Sequence, residues 1–211
     1  GVNLPVHKEV LDNGLTVLLH PNRQAPTVSC RLFYVTGSVH EVPGKSGLAH
    51  ILEHELFKGT KKVGVTDSIA DAAFMAREDS LQALIRPARL AGDTATVKKL
   101  TAEHDSLLNE QRKLFVKDEL WGAYQSAGGT GLNAFTTDLM TAYIVTLPKD
   151  KIELFMWLES DRMQNAVLRE FYSERDVVRE ERRMRYDDKP TGRFFETMNS
   201  LIYEAFPYRV P

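Results

Sequence analysis

The chain is poor in cysteine: Cys30 is the only one among 211 residues. That excludes an intrachain disulfide and any cysteine-based metal site. No apolar run reaches the roughly 18 residues needed to span a bilayer as a helix, and no basic-then-apolar segment opens the chain. Charge of one sign is also lacking. The formal net charge is −2, so no broad pull toward nucleic acid or an anionic membrane is expected. There is no short repeat and no low-complexity linker. What remains, 43% hydrophobic and 27% charged residues, is an ordinary globular composition, long enough to bury a core without staples.

Strands come in hairpin-like groups. Val6 to His20 reads as a hairpin with Asp12-Asn13-Gly14 as the turn, and Thr27 to Val35 as a strand. Gly37 to Gly47 is a loop. A helix starts near Ser46 or Gly47, with Ser46 as a candidate cap and Gly59 as its end. Thr66 to Tyr124 is nearly all helix-forming, broken only at Pro87 and Gly92, and reads as two helices or a helical hairpin. Its stripe of Val97, Leu100, His104, Leu107, Gln111 and Leu114 leaves His104 as a solvated or half-buried helix residue. Leu132 to Leu147 reads as one or two strands bent near Thr137-Asp138. Asp150 to Met163 is an amphipathic helix with Ile152, Phe155, Met156 and Leu158 on its apolar side. Further helices are expected over Glu174 to Arg185 and Thr191 to Phe206. The pattern predicts an α+β fold: a largely antiparallel sheet with helices packed against it, plus an inserted helical hairpin. The ends, Gly1-Val2-Asn3-Leu4-Pro5 and Phe206-Pro207-Tyr208-Arg209-Val210-Pro211, read as trimmed.

The most informative stretch is His50-Ile51-Leu52-Glu53-His54, an H-x-x-E-H pattern. With His50 at zero on a helix, His54 lies at about +40° and Glu53 at about −60°, so all three project from one side. Two neutral imidazoles at i, i+4 can hold one face of a zinc ion, and the carboxylate beside them can handle the proton of a water activated there. So short a pattern can also be a pair of surface histidines. A catalytic zinc needs a third protein ligand. In Ser173 to Arg182, Glu174 and Glu181 fall on the Val177/Val178 face, the face expected to be buried. Acids there need a partner. A divalent cation is one, and the neighbouring arginines 175, 179, 182, 183 and 185 are another.

Taken together, these stretches resemble the pitrilysin/insulin-degrading-enzyme family of zinc peptidases, the inverzincins. The matching pieces are Gly37-Ser38, Gly47-Leu48-Ala49, His50 to Thr60, Gly131-Leu132-Asn133-Ala134-Phe135-Thr136, and Glu174 to Glu181, in the family's order. The resemblance implies one zinc ion held by His50, His54 and Glu181, with Glu53 as general base. Glu174 would support the site without being a main ligand. Asn133, Ala134 and Phe135 would lie in an edge strand that binds an extended peptide or unfolded polypeptide by strand addition. Two departures stand out. The gap from His54 to Glu181 is longer than usual by several tens of residues, an excess that falls on the helical stretch 66–125. The chain also matches only the first domain of enzymes that close two halves around the substrate, so a C-terminal half or partner subunit would be missing. Some bacterial members are similar in the inserted stretch. The bacterial periplasm or envelope is thus one compartment the resemblance allows, and the cytoplasm another. The same family holds non-catalytic subunits, so the alternatives are a structural partner or a zinc-binding fragment inactive without its second half.

Overall fold

The computed structural model describes residues 5–42, 44–203 and 208. Its organising element is one buried strand. Thr141–Pro148 (β5) is central in a three-stranded antiparallel sheet, flanked by Thr27–Tyr34 (β3) and Thr130–Thr136 (β4). A separate hairpin, His7–Val10 (β1) with Thr16–Leu19 (β2), turns at Gly14 as the sequence predicts. Alternation along the strands defines a covered and an open face. Cys30, Tyr143, Val145 and Leu147 are buried on one, whereas Phe33 and Phe135 are exposed on the other. This is the predicted α+β arrangement with a largely antiparallel sheet.

Helices Leu48–Glu55 (α1), Glu119–Ser126 (α4) and Ile152–Asn165 (α5) lie along the sheet. The core joins Cys30, Val63, Leu120, Tyr124, Val145, Leu147 and Leu158. It also encloses charge. Arg162 is 1% exposed, pairs with Glu159 at 3.0 Å and stacks 4.2 Å from the Tyr143 ring, while Tyr124 donates to Glu159 at 2.8 Å. Met156, expected on the apolar side of α5, is instead exposed. The buried face of α5 is shifted toward Leu158, Glu159 and Arg162, because the polar group inside the core needs charged residues from this helix.

The predicted helical stretch is two long helices, Ser68–Leu90 (α2) and Thr94–Gln111 (α3), packed as a hairpin. Pro87 does not break α2; the chain turns at Gly92, which adopts φ +72°. His104 is not solvated. It is 6% exposed, with Nε2 3.9 Å from the buried Glu78 carboxylate. Its neighbours Glu103 and Asp105 point to solvent and made the position look polar on both sides.

Two more helices complete the described chain. Phe171–Arg182 (α6) continues through a π-helical turn, and Pro190–Ile202 (α7) follows. The trimmed-looking ends and the expected last turn of α7 at 204–206 fall outside the described residues, apart from Pro5 and Tyr208.

The helical hairpin is tied to the rest by a buried ion pair. Arg169, just before α6, donates through Nε to Asp71 on α2 at 2.7 Å, and Gln111 on α3 donates to the other Asp71 oxygen at 2.9 Å. The Arg169 guanidinium also meets the carbonyls of Lys58, Thr60 and Val63. Gly59 lets that loop curl around it: its φ is +102°, and a Cβ there would collide with the Val63 carbonyl. Replacing Arg169 by Met should leave the buried Asp71 charge without its cation, remove the guanidinium donors from the loop carbonyls and cost about 3–5 kcal/mol. Urea unfolding checks this, and a loss below about 1 kcal/mol would contradict the anchoring role.

Candidate metal centre

α1 begins at Leu48, and the cap is not Ser46. Gly47 occupies the cap position with φ +94°, and the Glu41 carboxylate accepts from the backbone N–H groups of Gly47 and Ala49, both at 2.7 Å. A carboxylate from six residues upstream thus satisfies donors that Ser46 was expected to meet. The helix ends at Glu55, before Gly59.

His50 and His54 share one side of α1, their rings edge to face with centroids 4.9 Å apart. α6 crosses beside them. Glu181 Oε2 lies 3.7 Å from His50 Nε2, and Glu181 Oε1 lies 3.8 Å from His54 Nε2. One ligand atom from each of the three residues can be chosen so that all lie within 4.8 Å of one another. Tetrahedral zinc with bonds of about 2.1 Å sets its ligand atoms about 3.4 Å apart, so a slight contraction of this trio would grip such an ion. The charge environment agrees. Glu181 Oε2 is buried with no hydrogen-bond donor in line. Arg185 Nη2 stands 3.2 Å from it, so the arginine partner considered from sequence is present too, yet out of hydrogen-bonding geometry and on a largely exposed side chain. Two imidazole nitrogens and an unsatisfied carboxylate oxygen are a borderline-soft donor set that fits a zinc-like cation.

Glu174 lies one turn and more ahead of Glu181 on α6. Its Oε2 is 3.2 Å from His54 Nδ1. With Nδ1 protonated and donating, Nε2 is left as a lone-pair donor facing Glu181. That hydrogen bond raises the His54 pKa and, with Lys58, holds Glu174 down at about 2. Burial, and then the neighbouring His54, lower His50, which favours the neutral ring a metal needs. Lys58 contacts Glu174 at 2.6 Å and Glu170 at 3.1 Å, and Arg112 meets Glu170 at 2.7 Å. Val177, assigned to the buried face from sequence, is exposed; Val178 is the buried one. The wheel had the correct side of α6 but centred it one residue early.

Glu53 reaches away from α6 toward the sheet. Its Oε2 accepts from Thr136 Oγ at 2.5 Å, and Tyr143 donates to its backbone carbonyl at 3.4 Å. Thr136 ends β4, the strand that carries Asn133, Ala134 and Phe135 on the outer edge of the sheet. Asn133 and Phe135 are exposed and Ala134 is half-buried. Lys58, Glu41, Arg169 and Thr136 were not singled out from sequence, because partners so distant along the chain leave no periodic signal. Glu55, next to His54, is 1% exposed and unpartnered, and burial followed by the Glu174 charge pushes its carboxyl up to about 8.

Residues 16–75 match the profile described as Insulinase (Peptidase family M16). The zinc protease PqqE of Helicobacter pylori is 28% identical over 211 residues, covering 97% of this chain and 35% of that protein. The chain is thus similar to the M16 insulinase peptidases over this stretch. The crystal structure of a protease from Helicobacter pylori superposes with a TM-score of 0.70 at 25% identity, covering 99% of this chain and 38% of that one. The first half of the periplasmic protease PqqL from Escherichia coli gives a TM-score of 0.61 at 20% identity, covering 96% and 35%. The chain therefore spans little more than a third of the length of these proteins. Both histidines lie within the profile match, and Glu174 and Glu181 lie beyond it.

If Glu174 orients His54, Glu174→Ala should weaken zinc binding about 10- to 100-fold while leaving the fold intact. Competition titration against a chromophoric chelator measures it. Unchanged affinity would mean that the contact is incidental.

Proposed function

We propose that this chain is the zinc-binding catalytic domain of an endopeptidase that cuts extended or unfolded polypeptide, with residues 66–125 as a helical insertion. The observation that carries the reading is the convergence of His50, His54 and Glu181 from two helices far apart in sequence. The relatives' names, which call them zinc proteases, support it.

His50, His54 and Glu181 would hold one zinc ion, with Glu174 orienting His54 from behind. When bound, zinc lowers the pKa of a water in its open position and polarises the carbonyl of the scissile bond. Glu53 serves as general base. It takes the proton of the attacking water on the carboxylate oxygen that Thr136 does not occupy, then delivers it to the leaving amine. The free edge of β4 receives the peptide as an added strand: backbone groups near Asn133 and Ala134 bind it, and the exposed side chains of Asn133 and Phe135 bias which sequences fit.

The relatives are nearly three times as long, and one was solved as the first half of a larger protease. We therefore expect a C-terminal half, on the same chain or on a partner subunit, to close over this surface. The 211 residues by themselves would then bind zinc but cut slowly or not at all. A non-catalytic subunit is the weaker reading, because Glu53 and the three donor residues stand together here.

In the full-length protein, Glu53→Gln should keep one zinc and lose about 10²- to 10⁴-fold in turnover, whereas His50→Ala should lose the metal. Zinc content and peptide hydrolysis measured on the same samples separate the two. Retained turnover in the first variant removes Glu53 from the reaction, and unchanged zinc in the second removes His50 from the ligand set.

A further inference from the structure

The Thr136 hydroxyl has one proton to give, and its surroundings decide where it goes. Thr141, directly opposite on β5, lies 3.3 Å away, but its own hydroxyl donates to the Thr36 carbonyl at 3.1 Å. The Thr136 proton is therefore committed to Glu53 Oε2 at 2.5 Å, a short charge-assisted bond. This fixes one oxygen of Glu53 against the sheet and leaves Oε1 free. The donor belongs to β4 itself, two residues beyond Ala134 and on the covered face that α1 crosses. Glu53 is held from its backbone side as well, through Tyr143 of the neighbouring strand.

We propose that Thr136 is a positioning residue for Glu53. The edge strand that would seat the peptide also aims the carboxylate that would take the water's proton. Peptide and base are thus referenced to a single rigid element, and their spacing does not depend on how α1 settles on the sheet. This rests on the reading of Glu53 as general base.

The test uses the full-length protein with Thr136→Val, Thr136→Ser, Thr136→Ala and Glu53→Gln. Thr136→Val preserves shape and removes the donor. It should lower kcat about 10- to 100-fold with KM changed less than about twofold, while zinc stoichiometry and thermal midpoint stay as in the parent. Thr136→Ser, which restores the hydroxyl, should recover most of kcat. A crystal structure of the metal-free Val variant should show the Glu53 carboxylate turned away from β4. If the Val variant does not fold, Thr136→Ala provides the same comparison. Parental kcat in the donor-less variants overturns the proposal, as does a Ser variant as impaired as Val, or a kcat loss that follows zinc loss or melting. Full turnover in Glu53→Gln would instead remove the base assignment beneath it. An inactive Glu53→Gln beside a fully active Thr136→Val would sink only the role of Thr136.

Discussion

The candidate centre depends on α6 lying close enough to α1 for a carboxylate at 181 to face imidazoles at 50 and 54. Little apolar packing secures that approach, since Val178 is the only fully buried residue of α6. Charge supplies the rest. Lys58, just past the end of α1, reaches Glu170 and Glu174 at the start of α6. Arg169 ties the residue before them to the loop that follows α1. These contacts are partly or wholly buried, where an ion pair is screened less than on the surface and breaking it leaves an uncompensated charge. The helix start is thus pinned, and a rigid rise of two turns carries that constraint to Glu181.

The same network sorts the acids by role. Glu170 is paired with Lys58 and Arg112, and Glu174 is paired with Lys58 and lies within hydrogen-bond reach of His54. Glu55 sits without a partner and is held protonated at neutral pH by burial. Glu181 is left with one buried oxygen that no donor satisfies. Such an atom is costly unless something meets it, and the Glu181 carboxylate, with one oxygen facing His50 and the other His54, is placed to share a cation with both rings. Its environment, more than its residue type, distinguishes it from the other carboxylates on α6.

Much of this was legible in the sequence, for reasons that differ by residue. His50, Glu53 and His54 share a face because helical periodicity is local, and Glu174 and Glu181 emerge from the same arithmetic once α6 is recognised. The hairpin, β3, the bend near Thr137 and the two-helix stretch follow from turn residues and periodicity in the same way. Where reading failed, a long-range contact had overridden a local preference. Glu41 displaced Ser46 as the cap of α1, and a charged pair inside the core rotated α5 and exposed Met156. Glu78 drew His104 inward although both of its sequence neighbours are acidic. Pro87 stayed within α2 because the turn at Gly92 already ended the helix nearby. None of these partners lies at a fixed spacing from the residue it controls, so no pattern announces it.

The helical hairpin poses a separate physical problem: its two long helices stand between the histidines and the acids in sequence without parting them. The structure meets it by keeping the two ends of the hairpin together. Val65 bridges to Phe115 and Thr66 bonds back to Leu114, closing the base of the hairpin. Asp71 on its first helix and Gln111 on its second then meet over Arg169. The guanidinium that precedes α6 is therefore the one that fastens the helical hairpin. A hairpin so attached shares an anchor with the start of α6 and supplies none of the three candidate donor side chains.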